Sequence, residues 1–292
     1  MQIKKILYLY ILFIGCCFFL LTGCIREEKY NNDPEGNFEA LWKIIDEGYC
    51  FFEYKNIDWD AIYHTYKKRI SPNMSNEAPP QVLGDTLAEH RDGHDNLNTS
   101  SNHARYWNWY EDYPRNYNET IQEKYLGTNY RIAGGVKYTI LDDGIGYLYY
   151  SSFTSGIGDG NLDHIFNYLA ICKGLIIDVR HNGGGALTNS TRFSSRFTNE
   201  KTLVGYMMHK KGPGHNNFSK PEPLYIESSK GIRWQKKAVV LTNRRTFSAA
   251  NDFVNNMRYF PNVTILGDNT GGGSGLPFTS ELPNGWRVRY SA

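Results

Sequence analysis

Three short segments of this 292-residue chain bring together the residue types that nucleophilic chemistry needs. The first is Arg91-Asp92-Gly93-His94-Asp95-Asn96-Leu97. The second is Gly174–Gly185, GLIIDVRHNGGG, an apolar run that breaks into a triple glycine. The third is Asn243–Asp252, NRRTFSAAND, which carries Ser248. A serine hydroxyl is a weak nucleophile until a base takes its proton, and histidine is the usual base. Where a strand turns abruptly into a helix, Ser248 would sit among unpaired backbone N–H groups at the positive end of the helix dipole. Ala249 and Ala250 would leave room for a carbonyl group, and the Ala249 N–H is a natural oxyanion donor. A glycine turn on a neighbouring strand could present a second N–H with no side chain in the way. Each segment alone has a plainer use. A serine at a helix start usually caps it, a triple glycine is commonly a turn, and His94 is one of eight histidines. The glycines are not a phosphate loop, because no Gly-Lys-Ser/Thr ending follows them.

The elements that must hold these residues can be read from the same sequence. Leu175–Val179 is almost continuously apolar, as expected of a strand covered on both faces. Ala238–Leu241 is a second such strand, followed by a helix from Ser248 to about Met257 and a strand from Val263 to Leu266. Val136–Ile140 and Ile145–Phe153 read as strands around Asp142-Asp143-Gly144, and Leu162, Ile165, Phe166 and Leu169 give a helix behind Asn161. This alternation predicts a mixed α/β (α+β) core over residues 136–292. Leu282–Trp286 reads as a hairpin turn with a strand after it. Upstream, Phe38, Leu41, Trp42, Ile45 and Tyr49 recur at helical spacing, with Asn37 as N-cap. Trp59, Ile62, Tyr63, Tyr66 and Ile70 repeat the pattern behind Asp58, and Pro79-Pro80 opens a third helix, Gln81 to His90. Residues 37–98 are thus expected to form a small helical unit carrying His94. Residues 99–135, rich in Asn, Tyr and Trp, read as a connection. Within it, Trp107-Asn108-Trp109-Tyr110 could form an aromatic platform, though core packing is the commoner use of such a cluster.

The first residues describe a leader. Lys4 and Lys5 precede an apolar run from Ile6 to Leu21, 16 residues long, whereas a bilayer core needs roughly 20. With Leu21-Thr22-Gly23-Cys24 at its end, this is an export signal over residues 1–23 rather than a spanning helix. The last four residues resemble a bacterial lipobox, which implies acylation of Cys24 after cleavage before it. Residues 24–36 then form a polar tether, and the protein is expected on the bacterial cell envelope, held to a membrane by its N-terminal lipid. Loss of Lys4 and Lys5 would leave equal numbers of acidic and basic residues. Nothing in that balance suggests nucleic acid as a partner. Cys50 and Cys172 could pair in an oxidising compartment, but each reads more simply as a lone buried thiol. His209 and His215 share one loop without a carboxylate or cysteine at ligand spacing, so neither a metal nor a cofactor is expected.

Taken together and in this order, the three segments resemble the tail-specific (C-terminal processing) serine peptidases. The likeness is nearest to the tricorn-like branch, and it runs from about residue 36 onward. It implies a ClpP/crotonase-like peptidase core, a peptide or protein-tail substrate, Ser248 as nucleophile, the Ala249 N–H as one oxyanion donor and a glycine of residues 183–185 as the other. Gly185 is favoured and Gly184 is the alternative. Asp178, Arg180 and Asn182 would hold the glycine turn. Most members of the family place a lysine base about 25 residues after the serine. Gly273 stands there, and no lysine follows Lys237, so a Ser–Lys dyad of that form is excluded. The tricorn-like branch uses an upstream histidine, which makes His94 the expected base. That branch has a serine just before the histidine, where this chain has Gly93. His90, His103 and His181 are the fallback bases.

Two further expectations follow. About forty residues separate His94 from Val136, too few for the PDZ module common in the family, so the cleft and a rim loop, Met207–Pro223, must select the substrate. The orienting acid of the branch is a glutamate downstream of the strand that ends at Ala292. The chain is therefore expected to be truncated, with its last strand lacking a partner and the acid beyond residue 292; otherwise Asp92, Asp95 or Glu281 must serve. The competing reading is a catalytically inactive peptide- or ligand-binding lipoprotein on the same scaffold. Oligomeric state is left open.

Overall fold

Asp33 and Pro34 start the first helix in the computed structural model, which describes residues 29–74, 79–111 and 113–292. The expected leader, Cys24 and the first residues of the expected tether, up to residue 28, lie outside the described residues. Helix α1 (Pro34–Gly48) begins four residues earlier than the spacing suggested. Asp33 Oδ1 accepts the Gly36 N–H at 2.7 Å, and proline at the first turn lacks only an N–H that would be unpaired anyway. Residues 34–36, expected in the tether, belong to this helix. Asn37 is not the cap. It is buried inside the helix, where its side chain donates to the Asp33 carbonyl and accepts the Asn284 N–H. Helices α2 (Phe52–Lys55), α3 (Trp59–Lys67) and α4 (Pro79–Ala88) follow, with Asp58 capping α3 through the Ala61 N–H.

Residues 99–135 are more structured than a connection. They hold strand β2 (His103–Arg105), which pairs with β1 (Asn96–Asn98) just before it, then helix α5 (Glu119–Leu126) and strand β3 (Arg131–Ala133). The strands are three residues long, too short to show a period.

Strands β4 (Val136–Ile140) and β5 (Ile145–Tyr150), helix α6 (Asp159–Leu169) and strand β6 (Gly174–Asp178) come next. Helix α7 (Leu187–Ser194), the hairpin β7 (Thr202–Met207) and β8 (Glu222–Ile226), and strand β9 (Ala238–Thr242) then lead to helix α8 (Ala249–Met257) and strand β10 (Val263–Gly267). One sheet runs β10-β9-β6-β5-β4-β3, parallel from β10 to β5 and antiparallel beyond. Its centre is buried, as the apolar run Leu175–Val179 requires. Leu175, Ile177 and Val240 pack with Leu162, Phe166 and Leu169 of α6 and Phe253 and Met257 of α8.

The last hairpin departs from the expected division at residue 136. Strands β11 (Pro277–Glu281) and β12 (Arg287–Ser291) join β1 and β2 in a second, antiparallel sheet ordered β11-β12-β1-β2. Leu282, Val288 and Tyr290 pack with Phe38, Leu41, Tyr49, Leu83 and Leu97 in a second core. Far from lacking a partner, β12 is hydrogen-bonded on both sides. It takes the slot beside β1, whose residues follow His94 directly. Cys172 is a free thiol buried in the first core, and Cys50 is a half-buried free thiol.

Candidate active site

Ser248 sits where β9 ends and α8 begins, and three local devices force its turn. Asn243 Oδ1 accepts the N–H groups of His181 and Arg245, at 3.0 and 3.1 Å. Thr246 Oγ1 donates to the Val179 carbonyl at 2.9 Å. The Ser248 N–H donates to the Gly272 carbonyl at 2.8 Å. The result is φ 56°, ψ −124° at Ser248, a conformation that costs a non-glycine residue on the order of 1–3 kcal/mol and persists only where the surroundings over-determine it. The plain capping use does not hold here, since the side chain makes no capping hydrogen bond. Its hydroxyl lies half-buried in a cavity of about 600 Å³.

The glycine turn lies against this elbow. Asp178, fully buried at the end of β6, takes a two-pronged ion pair from Arg180 (2.9 and 2.7 Å) and the Tyr147 hydroxyl. Asn182 donates to the Tyr150 carbonyl, accepts the Gly184 N–H, and offers its own carbonyl to Phe247. These three side chains fix residues 180–184 as the motif implied. A Cβ on Gly184 would stand 2.6 Å from the Phe247 carbonyl oxygen and 2.8 Å from the Ala249 nitrogen, so only glycine lets the turn approach. The two glycines then part company. The Gly184 N–H is spent on Asn182 Oδ1. Those of Gly185 and Ala249 have no partner among the described residues; Gly185 lines the cavity with Ser248, and Ala249 follows Ser248 directly at the helix start.

His94 lines the same cavity from the other core. It is held by its backbone N–H on Asp92 Oδ1 (2.9 Å) and by its ring edge on Phe247, 4.7 Å between centroids. Burial drives its pKa down to about 4; the nearby Asp92 carboxylate opposes this, while Arg289, Arg105 and Lys55 add to it. The imidazole is therefore neutral, with a free lone pair, at physiological pH. The fallback bases lie elsewhere. His90 is buried on Asp95 (2.5 Å), His103 is tied to Asn98, and His181 packs at a tilt against Tyr117.

Neither neighbouring acid reaches the His94 ring. Asp92 holds the His94 N–H, the Tyr49 hydroxyl and Lys55, and Asp95 holds His90 and the Ser291 N–H. Glu281 pairs across the hairpin with Arg287, at the far end of β11. The atom facing His94 Nδ1 is Ser291 Oγ, at 3.4 Å. Sequence reading missed this contact. It missed also the glycine loop 271–273, whose Gly271 N–H binds Thr246 and whose Gly272 carbonyl takes the Ser248 N–H. Within the aromatic cluster Trp109 packs on Phe247 at 4.4 Å and against Gly271, while Trp107 stays exposed. The loop between β7 and β8 leans on the helical unit through His215, which bonds Asp46 and stacks on Phe52, while Tyr206, Met207 and Leu224 of that hairpin line the cavity.

Comparisons with known proteins agree with this layout. The sequence matches peptidase family S41 over residues 144–292 and the tricorn protease C1 domain over residues 30–88. A crystal structure of a candidate peptidase from Parabacteroides merdae is 56% identical, with a TM-score of 0.86, over 90% of this chain and 84% of that one. Mature CPAF superposes with a TM-score of 0.66 at 13% identity, covering 89% of this chain and 88% of its own. The photosystem II D1 C-terminal processing protease does so with 0.53 at 13% identity, covering 89% and 88%. At such identities the last two show a shared fold.

Proposed function

The chain belongs to peptidase family S41, and from that premise we propose that it is a lipid-anchored serine endopeptidase, acting on peptides or unstructured protein tails outside the cytoplasm. In this reading Ser248 attacks the peptide carbonyl while His94 accepts its proton and returns it to the leaving amine. The Ala249 and Gly185 N–H groups receive the developing oxyanion. Gly184 contributes close approach rather than a hydrogen bond. Ser291 Oγ orients the imidazole through Nδ1, in the place where an acid is customary. No direct hydrogen bond joins Ser248 to His94, and such pairs commonly tighten only around substrate.

One observation carries the proposal. Ser248 has a strained backbone and a hydroxyl not used for capping, and the N–H groups of the next residue, Ala249, and of Gly185 on the same cavity have no partner among the described residues. A helix cap needs none of these. A fluorophosphonate should label the wild type at Ser248 and fail to label Ser248→Ala and His94→Ala. A folded wild type that resists labelling would favour the binding-protein reading instead. The anchor has its own test. Mass spectrometry of membrane-extracted protein should find an acylated N-terminus at Cys24; a free N-terminus elsewhere would remove that part of the proposal.

A further inference from the structure

The outer face of the second sheet continues the cavity beyond His94, and it is basic. Residues paired directly across strands share a face. Asn96 pairs with Arg105 on one side and Arg289 on the other, which puts Arg105, Asn96 and Arg289 in one row across three strands. Both arginines line the cavity with Ser248 and His94. Like charges this close on one face repel; Asp92 offsets this at Arg105 only from a distance, and among the described residues no carboxylate forms an ion pair with either arginine. Arg289 enters no ion pair among the described residues. Arg105 donates one guanidinium hydrogen to the Gly93 carbonyl, but its Nε is buried without a partner. The acids nearby are engaged elsewhere. Asp92 holds Lys55 and Tyr49, Asp252 on the opposite wall is bonded to Ser190 and Asn256, and Glu281 stands opposite Arg287.

The row also has a direction. A base that returns its proton to the leaving amine lies on the leaving-group side of the scissile bond. Asn96 is two residues past His94 on the same backbone and donates to its carbonyl at 2.8 Å. The arginines therefore extend the leaving-group half of the cleft. We propose that Arg289 and Arg105 form a carboxylate-binding subsite there, so that the enzyme selects peptides carrying a carboxylate shortly beyond the bond it cuts. This rests on the peptidase reading for its orientation, though not for the binding itself. The guanidinium fork is suited to such a group, since it can donate two parallel hydrogen bonds to one carboxylate. That carboxylate could be an acidic side chain or a nearby chain terminus.

The full-length chain with Ser248→Ala binds peptide without cutting it, so the subsite can be read apart from catalysis. Fluorescence anisotropy would compare four labelled peptides of one sequence, with Asp or Asn at the position following the cut and a free or amidated C-terminus. A carboxylate should tighten binding by about tenfold, the gap should shrink in high salt, and Arg289→Gln in the same background should bring the ratio towards one. Arg289 is exposed, so this variant does not disturb the core. A gap that follows Asp against Asn assigns the side chain; one that follows free against amidated ends assigns the terminus. Equal binding of all four, absence of binding, or a preference that survives both Arg289→Gln and Arg105→Gln overturns the proposal. Failure of Ser248 labelling with the binding preference intact would instead strike only the peptidase reading.

Discussion

His94 is kept neutral by its surroundings. Burial and the Arg289, Arg105 and Lys55 charges all disfavour the imidazolium, and Asp92 offsets them only in part, leaving a pKa of about 4. A base must be unprotonated to act, so kcat/KM should rise with pH through about 4 and be level by pH 6. Removing one opposing cation should stabilise the imidazolium, so the limb should move upward in Arg289→Gln. A wild-type limb at 6.5, or one that stays in place in the variant, would show that these charges do not act on the base. A limb above about pH 8 would point to a lysine. Ser291→Ala tests the other ring nitrogen. It should lower kcat by about five- to tenfold with little change in KM, the worth of one orienting hydrogen bond. At this scale the candidate reacting groups, which line one cavity, could be singled out in the sequence because such chemistry is restricted to few residue types. Ser291 was not. A serine in a strand carries no signal, and its contact with His94 spans 197 residues of sequence.

The elements that present the nucleophile are the glycine turn after β6 and the start of α8, and they touch backbone to backbone. Gly184→Ala should be damaging for this reason. Its φ is +94°, and the added Cβ would press on the Phe247 carbonyl and on Ala249, the very residues that form the elbow. The variant is expected to lose fluorophosphonate labelling and to melt several degrees lower. Retention of full labelling would mean that the turn can retreat without cost. Strands β6 and β9 and helix α8 were readable as elements because long apolar runs and helical spacing survive in them. Strands β1, β2 and β3 were not, since three residues cannot display a period. Capping at Asp33 rather than Asn37 was hidden similarly, because either side chain can cap and only the packing of Asn37 against the final hairpin decides.

On the scale of the molecule, the cleft lies between two cores, and each supplies one member of the proposed Ser–His pair. The sheet holding Ser248 was predicted from sequence alone; the partnership of β12 with β1 was not, because it joins segments that no local pattern links. This division makes a prediction about how damage spreads. Leu97 is fully buried in the second core and lies between Asn96 and Asn98 on β1, close behind His94. Leu169 is as deeply buried in the first core, at the end of α6 and away from the cavity lining. Truncation of either to alanine should cost about 2–5 kcal/mol of stability through the void it leaves, measured by urea denaturation. Their effects on turnover should differ. In Leu97→Ala the strand that follows His94 loses its footing against Val288, so kcat per folded molecule should fall by at least tenfold, since small misplacements of a reacting group are costly. In Leu169→Ala the folded fraction should turn over nearly as the wild type does. Equal losses of kcat in the two variants would mean that the cores relax as one body, and that β1 does not set the position of His94 by itself.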